Sequence, residues 1–376
     1  MLTRLLGDLV SIDSVNPDLV PGAKGEAAVA AHCAAWLSRA GLDVEVQEAA
    51  PGRPNVVGVL EGSKPGRTLM LCGHIDTVGV EGMAAPFTPE VRDGRLYGRG
   101  AQDMKGGVAA MMEAARRAKD RWTSGRLVIA CVCDEEYESI GAQALVTRWT
   151  ADAAVVTEPT DLSVAVTHKG FAWIALETMG RAAHGSRPAE GRDAILRMGR
   201  VLSRLDALNR DLSVRQADPL TGPPSLHAST IGGGREWSSY PDHCALTVER
   251  RTVAGETEVL VMEEIEAILQ ELRAEDAEFA GTARLVASRA PYALDPAHEL
   301  PVTLAGLAKA RGATAGIAGM SFWTDAAILG GAGIPSVLFG PGGAGLHSIE
   351  EYVTLSEVED CAVVLEQLAL GYCAAR

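Results

Sequence analysis

The sequence predicts an α/β fold, with a mostly parallel sheet and helices on both faces, that carries an inserted β-α-β-β-α-β domain. Two observations indicate this fold. Apolar segments of strand length alternate with helical segments from residue 25 to residue 156, an order typical of sheets covered by helices. From Lys169 the order changes to strand, helix, strand, strand, helix and strand, which is the split βαβ arrangement.

The first part of the chain supplies most of the larger layer. A helical pattern over residues 25–40 stops before Gly41, because glycine commonly ends helices. The apolar run 127–133 is typical of a strand that is buried on both faces. The other predicted elements are strands at Val44–Gln47, Asn55–Leu60, Thr68–Cys72 and Ala153–Val156, and helices at Gly107–Lys119 and Ala142–Thr150.

The inserted domain is predicted at residues 169–290, and residues 1–168 and 291–376 form the larger domain around it. Its predicted elements are Phe171–Thr178, helix Arg192–Leu208, Leu226–Ile231, Cys244–Arg250, helix Glu256–Arg273 and Ala283–Ser288. The larger layer resumes with helix Pro301–Arg311, strand Ile334–Phe339 and helix Leu355–Leu370.

Composition narrows the function classes. The net charge of -15 argues against nucleic acids and anionic membranes as partners. No run approaches the roughly 18 apolar residues of a membrane span. The seven cysteines are scattered and odd in number, which indicates free thiols in a reducing compartment. We therefore expect a cytoplasmic protein.

Four predicted core strands each deliver a histidine or a carboxylate at their carboxyl ends. In open α/β sheets, ligands bind beyond these ends. The pairs are Thr68–Cys72 with His74 and Asp76, 127–133 with Glu135 and Glu136, Ala153–Val156 with Glu158, and Ile334–Phe339 with His347. A further acid, Asp103, lies in a glycine-rich loop just before a predicted helix.

Each of these residues alone has an ordinary structural interpretation. Asp103 could cap the helix that follows, a lone histidine is often hydrogen-bonded in a core, and Glu135 and Glu136 could begin a solvated loop. Carboxylates crowded at one edge would repel unless cations neutralise them. Two histidines with several carboxylates suit zinc, and one shared carboxylate can bridge two ions.

Adjacent residues on a strand point to opposite sides, so Glu135 and Glu136 can have different roles. One of them would hold metal while the other faces the attacking water. Asp76 lies two residues after His74 and shares its face. It is therefore placed to orient that imidazole as a carboxylate behind the ligand.

With these residues assembled, the sequence resembles the dinuclear zinc hydrolase family of acetylornithine deacetylase, succinyl-diaminopimelate desuccinylase, aminoacylase and carboxypeptidase G. The resemblance covers nearly the whole chain and implies a zinc-peptidase-like catalytic domain. The motifs that carry it are SIDSVNP, GEAAVAAHCAAWLSRAG, GHIDTV, GRGAQDMKGG, DEEYESIG, TEPTD and GIPSVLFGPGGAGLHSIEEYV.

The resemblance implies two Zn²⁺ per chain, with Co²⁺ or Mn²⁺ as substitutes. His74, Asp103 and Glu158 would surround one ion. His347, Asp103 and Glu136 would surround the other, with Asp103 bridging. Glu135 matches the general base that takes a proton from the attacking water and passes it to the leaving amine.

The resemblance also implies that the insert is a ferredoxin-like lid through which the chain forms a homodimer. His184 in GRAAHGSRPAEGRDAI matches a residue that reaches the neighbouring subunit's site and stabilises the oxyanion; without the family it is a surface histidine. Arg251 matches an arginine that contacts the substrate carboxylate. Ser238 stands where relatives commonly carry an asparagine that helps to hold this carboxylate, which leaves the substrate open.

We therefore expect hydrolysis of the amide bond of an N-acyl amino acid or a similar small molecule. A carboxypeptidase or dipeptidase with the same site is the nearest alternative, because both substrates present an amide beside a carboxylate. A metal- or ligand-binding protein without catalysis is a more distant alternative. The presence of Glu135 argues against it, because a binding protein has no need of a base.

Overall fold

The computed structural model describes residues 1–215, 217–314 and 316–374. The chain divides into two compact units. The first comprises Met1–Val166, Leu294–Ala318 and Thr324–Arg376, and the second comprises Thr167–Ala293 with Gly319–Trp323. The sequence alone gives no sign that Gly319–Trp323 belongs to the second unit.

The first part of the chain forms helices and strands in an alternating order. The helices are α1 (Leu2–Val10), α2 (Ala27–Arg39), α3 (Gly106–Ala118) and α4 (Ile140–Val146). The strands are β1 (Asp43–Ala50), β2 (Arg53–Glu61), β3 (Lys64–His74), β4 (Glu90–Arg92), β5 (Arg95–Tyr97), β6 (Ser124–Val132), β7 (Ala153–Val156) and β8 (Val164–His168).

The second unit follows the predicted order of elements. They are β9 (Gly170–Met179), α5 (Ala194–Val214), β10 (Ser225–Gly233), β11 (His243–Thr252), α6 (Glu258–Glu275), β12 (Ala280–Arg289) and β13 (Tyr292–Ala293). The antiparallel sheet has the order β10-β11-β9-β12. Asp193 and Thr257 cap α5 and α6 by accepting hydrogen bonds from the backbone N–H groups of Leu196 and Leu260.

The remaining elements belong to the first unit, except that β14 runs into Gly319–Trp323 of the second. They are α7 (Glu299–Ala310), β14 (Ile317–Met320), α8 (Ala326–Gly331), β15 (Ser336–Leu338), β16 (Gly343–Ala344), β17 (Tyr352–Thr354) and α9 (Leu355–Ala374). A small sheet with the order β16-β17-β5-β4 brings the segment before Tyr352 beside the segment after Tyr97.

The main sheet is mixed, which corrects the prediction of a mostly parallel sheet. Its first seven strands have the order β1-β2-β6-β3-β7-β15-β8. The pairs β6-β3, β3-β7 and β7-β15 are parallel, whereas β1-β2, β2-β6 and β15-β8 are antiparallel. A tight turn joins β1 to β2, and such a short connection allows only an antiparallel pair. The α/β fold itself is confirmed.

Helices cover both faces of this sheet. Leu69 and Leu71 of β3 join a core with residues of α3 and α9, while Met70 and Cys72, which alternate with them, are equally buried. Because side chains alternate across a strand, the second pair faces the opposite side. α4 packs against β1, β2 and β6. Within the described residues, no helix is both long and apolar enough to cross a membrane.

Candidate metal centre

The parallel strands bring their carboxyl ends to one edge of the sheet. His74, the last residue of β3, is level with Val132 at the end of β6. Cys72 is level with Val156 at the end of β7. The residues that follow β6 and β7 therefore emerge beside His74, as the sequence predicts from the strand ends alone.

His74 is buried, and both of its ring nitrogens have oxygen neighbours. Nδ1 lies 3.1 Å from the backbone carbonyl oxygen of Asp76 and 3.5 Å from its Oδ1. Nε2 lies 3.0 Å from Oδ1 of Asp103. The imidazole is thus held on one side by Asp76 and directed by the other side towards Asp103. The nearer Asp76 contact is the backbone carbonyl rather than the predicted carboxylate.

Asp103 lies in an irregular turn at Ala101–Lys105, just before α3. The helix-cap interpretation is wrong, because α3 begins at Gly106 with Lys105 preceding it and no side chain caps it. The carboxylate of Asp103 has two different neighbours: Oδ1 faces His74, and Oδ2 lies 3.3 Å from Nε2 of His347. Asp103 therefore lies between the two histidines.

Two sets of three side chains share Asp103. In each set the possible ligand atoms lie within 4.8 Å of one another. The first set is His74, Asp103 and Glu158, and the second is Asp103, Glu136 and His347. These are the two groupings that the resemblance to the dinuclear zinc hydrolase family implies. His347 Nε2 also lies 3.2 Å from Glu136 Oε2.

The carboxyl groups at this edge of the sheet disfavour one another's ionised form. Burial raises the pKa of Glu135 and Glu158 well above the usual value, and neighbouring carboxylates add to the rise. Burial followed by the charge of Asp103 raises the pKa of Glu136. Asp103 differs: burial acts to raise its pKa, but hydrogen bonds with His347 and His74 outweigh burial and lower it.

The chemistry of the set fits divalent cations. Among the described residues, no lysine or arginine forms an ion pair with the carboxylates of Asp103, Glu135, Glu136 or Glu158. Glu136 Oε1 is buried and has no hydrogen-bond partner among those residues. Buried carboxylates need a positive partner, and imidazole with carboxylate is a donor set typical of zinc and related metals. The five side chains of the two sets could hold two ions.

Asp134 is the first carboxylate after β6, and no role is predicted for it from the sequence. Its side chain accepts hydrogen bonds from Arg53 Nη2 at 2.8 Å and Asn16 Nδ2 at 2.9 Å. It also accepts the backbone N–H groups of Glu138 and Ile140, both at 3.2 Å. Asp134 thus anchors the loop that carries Glu135 and Glu136. The three carboxylates after β6 divide into one anchor and two site residues.

Asp76 connects this anchor to the site. Its Oδ1 accepts the backbone N–H of Glu135 at 3.1 Å, and its Oδ2 accepts that of Glu136 at 3.2 Å. Asn16 donates one hydrogen bond to Asp76 Oδ2 at 2.8 Å and another to Asp134. Asn16 is fully buried, which the motif SVNP alone does not indicate.

Asp325 and Glu351 are further buried acids that the sequence did not single out. Asp325 precedes α8, and burial raises its pKa to about 7. Glu351 accepts hydrogen bonds from the turn that carries Asp103. The run Glu350-Glu351 looks solvated in the sequence, and only Glu350 is exposed. No local pattern distinguishes the two glutamates.

The substrate residues predicted in the second unit fall into two places. His184 and Ser238 are exposed on adjacent segments, because Gly185 N–H donates to the Ser238 carbonyl at 2.6 Å. Arg251 lies near the far end of β11, where its Nε donates to Glu249 Oε1 at 2.7 Å. The length of β11 separates these places by roughly 25 Å, at 3.3 Å per residue.

Known proteins resemble the chain along most of its length. A family profile, Peptidase family M20/M25/M40, matches residues 70–371. The acetylornithine deacetylase of Myxococcus xanthus is 32% identical over 359 residues, which cover 92% of each protein. Aminopeptidase PepT from Bacillus cereus ATCC 10987 superposes with a TM-score of 0.81 at 19% identity, covering 98% of both chains. The Bacillus subtilis YXEP protein, a dinuclear metal binding peptidase, gives a TM-score of 0.76 at 14% identity, covering 100% of this chain and 98% of that one.

Proposed function

Because the chain belongs to Peptidase family M20/M25/M40, we propose that it is an acetylornithine deacetylase-like deacylase that hydrolyses the amide bond of an N-acyl amino acid. Members of this family are metal-dependent hydrolases of amide bonds, and the chain is therefore one as well. The finer assignment to a deacylase is supported by the similarity to the Myxococcus xanthus acetylornithine deacetylase, which extends over nearly the whole chain.

The observation that carries the proposal is the shared position of Asp103. Its two oxygens face two different histidines, at 3.0 Å and 3.3 Å. His74, Asp103 and Glu158 would hold one Zn²⁺, and Asp103, Glu136 and His347 would hold a second, with Co²⁺ or Mn²⁺ as substitutes. When bound, the ions supply Lewis acidity, which lowers the pKa of the attacking water and polarises the amide carbonyl.

Glu135 would act as the general base. It takes a proton from the attacking water while the water oxygen bonds to the amide carbon. The C–N bond then breaks, and Glu135 passes the proton to the departing nitrogen, which leaves a carboxylate and an amine. Asp76 holds the backbone N–H of Glu135 at 3.1 Å, so the base starts from a fixed main chain. Burial and the charges of Glu158 and Asp325 raise the pKa of the Glu135 side chain, whereas the positive charge of His74 acts to lower it.

We also propose a homodimer through the second unit, in which His184 serves the neighbouring subunit's site and stabilises the oxyanion. Arg251 would bind the substrate carboxylate in its own subunit's site. Ser238, which lies beside His184, would reach that carboxylate from the neighbouring subunit in the place of the usual asparagine. The separation of His184 and Ser238 from Arg251 along β11 supports this division, because both ends of one sheet cannot contact one small substrate. Sedimentation and a His184→Ala variant mixed with a Glu135→Ala variant test it: shared sites predict partial recovery of turnover.

A cytoplasmic location belongs to the same proposal. The seven cysteines are buried as free thiols, a state that reducing compartments preserve. Fractionation of the source cells checks this, and enrichment outside the cytoplasm would contradict it.

The central experiment measures amine release by the zinc-loaded protein. The substrates are N-acetyl, N-succinyl and N-formyl amino acids, N-acetylornithine and simple dipeptides, with Glu135→Ala as the blank. Preference for one N-acyl amino acid supports the deacylase. Cleavage of dipeptides alone would replace it with a peptidase. No release above the blank, with metal bound, would leave a binding protein.

A further inference from the structure

Glu351 is a buried glutamate on which four hydrogen-bond donors converge. Its Oε1 accepts the backbone N–H groups of Gln102 at 2.8 Å and Asp103 at 3.0 Å. Its Oε2 accepts the backbone N–H of Gly100 at 3.0 Å and Arg99 Nη1 at 2.7 Å. Three of the four contacts thus fall on the turn that carries the shared aspartate or on the residue just before it.

Arg99 is equally buried and connects three segments of the chain. Besides Glu351, it donates from Nη2 to the Ser348 carbonyl at 3.0 Å and from Nε to the Gly79 carbonyl at 3.1 Å. Ser348 directly follows His347, and Gly79 lies on the loop that leaves β3 after His74. The pair of Arg99 and Glu351 therefore ties the Asp103 turn to the segments that carry both histidines.

Only a carboxylate satisfies this arrangement. An ionised glutamate has about four acceptor sites and no donor. A glutamine of the same size would turn an NH₂ group towards either two backbone N–H groups or Gly100 and Arg99. Buried donors that face other donors make no hydrogen bond, and their desolvation then costs free energy without compensation. Glu351 consequently requires its charge, although it lies outside both ligand sets.

We propose that Glu351, held by Arg99, is a positioning residue that fixes Asp103 relative to His347, so that the second of two ions can bind. This inference depends on the proposed metal centre. The two histidines are held differently: His74 ends a strand of the main sheet and is buried, whereas His347 lies on a loop with a φ of 57° and a half-exposed side chain. Loss of Glu351 should therefore affect the Asp103, Glu136 and His347 set most.

The test measures metal affinity rather than turnover. Metal-free parent and Glu351→Gln proteins are titrated with Zn²⁺ alone by calorimetry, and with Co²⁺ alone by visible absorption. We expect two ions in the parent. In Glu351→Gln the dissociation constant of the second ion should rise at least about tenfold, and that of the first less than about threefold. Thermal melting of the metal-free proteins checks that each variant is folded.

Glu113→Gln is the matched control. Glu113 is as buried as Glu351 and pairs with Arg116 and Arg117, but these contacts lie within α3 and touch no ligand-bearing turn. Its two dissociation constants should match those of the parent. An equal loss of the second ion in both variants would reduce the effect to general destabilisation and overturn the inference.

The remaining outcomes also test the positioning role of Glu351. Two ions bound by Glu351→Gln with parental affinities would overturn the inference and leave the proposed function intact. A parent that binds no ion would overturn both. If Glu351→Gln does not fold, Arg99→Lys replaces it, because lysine retains the charge but cannot reach Glu351, Ser348 and Gly79 together. Parental affinity for the second ion in Arg99→Lys would then reject the positioning role.

Discussion

Two carboxylate clusters of the first unit differ in what neutralises them. In the arginine-paired cluster, Arg53 binds Glu26 through two hydrogen bonds at 2.6 and 2.7 Å, Asp134 at 2.8 Å, and Asp18. The site cluster consists of Asp103, Glu135, Glu136 and Glu158. Its partners are two imidazoles, and among the described residues none of its carboxylates meets a lysine or arginine.

The difference indicates where a cation from solution belongs. The arginine-paired cluster is complete, since the protein supplies its own positive charge. The site cluster carries the same kind of charge under similar burial without that supply. Burial raises the pKa of Glu135 and Glu158 well above the usual value and neighbouring carboxylates add to the rise, whereas Arg53 opposes the effect of burial on the pKa of Glu26. Asn16 hydrogen-bonds to Asp134 in the first cluster and to Asp76, which holds the second. The arginine-paired cluster holds the loop, and the site cluster is the one that we propose binds metal.

The largest expected effect comes from Asp103→Asn, which removes the acid that both ligand sets share. Turnover should fall roughly 10⁴-fold, because the several kilocalories of Lewis-acid stabilisation are lost. Bound metal should fall below two ions per chain by elemental analysis. Asp152→Asn is the control, since Asp152 accepts Thr68 N–H at 2.7 Å in the middle of β3, away from the carboxyl end that carries His74. Full activity and two bound ions in Asp103→Asn would contradict the proposal that the site cluster binds metal through Asp103.

Arg53→Met breaks the arginine-paired cluster and should lower the free energy of unfolding by about 3–5 kcal/mol, because Glu26 and Asp134 stay buried without a partner. Urea unfolding measures this. Arg126→Met, which removes an exposed pair with Glu61, should cost about 1 kcal/mol or less. Equal costs for the two variants would mean that the buried pairing contributes nothing special.

The same variant has a pH signature. In the parent, burial raises the pKa of Glu26, while the hydrogen bond from Arg53 acts to lower it. Without Arg53 the folded state binds more protons than the unfolded chain above the usual carboxyl pKa, so its stability falls as pH rises. The deficit of Arg53→Met relative to the parent should therefore be larger at about pH 8 than at about pH 5. A deficit that grows on acidification would contradict this account.

Metal removal should act on the site cluster alone. Zn²⁺ at a free concentration of about 100 times its dissociation constant should raise the free energy of unfolding by about 2.7 kcal/mol per site. A chelator should abolish this gain in the parent, and Asp103→Asn should show little of it. Arg53→Met should retain the gain, although its baseline is lower. Thermal melting with and without chelator measures all three, and a chelator-insensitive parent would reject the metal centre.

The smallest effect is expected for Asn16→Ala, which removes the contact between the clusters. It should cost about 1–2 kcal/mol of stability, because Asp76 and Asp134 each lose a buried donor. Turnover should fall less than tenfold, since Asp76 keeps the backbone N–H groups of Glu135 and Glu136. Asn209→Ala, which removes an acceptor for Leu226 N–H in the second unit, should leave turnover unchanged. A larger loss of turnover than of stability in Asn16→Ala would make Asn16 part of the active site.

The sequence determined the edge of the sheet where the site would form. Buried strands can be recognised from their apolar composition, and neighbouring parallel strands end at the same edge of a sheet. His74, Glu135, Glu136 and Glu158 could therefore be grouped from the sequence alone. Two features of the fold were not predicted correctly. The helix α4 is shorter than predicted, and the direction of the antiparallel strand pairs depends on how the strands are connected rather than on their composition.

Only the tertiary structure decided which carboxylates have partners. Glu26, Arg53 and Asp134 meet across separations of 27 and 81 residues, and Glu351 meets Asp103 across 248. No periodicity encodes such contacts, because a side chain's charge is the same in every loop until folding gives it neighbours. The sequence therefore predicted which residue types stand at the strand ends. Which of these carboxylates hold a loop and which remain for the proposed metal site depended on packing, because packing brings distant segments together.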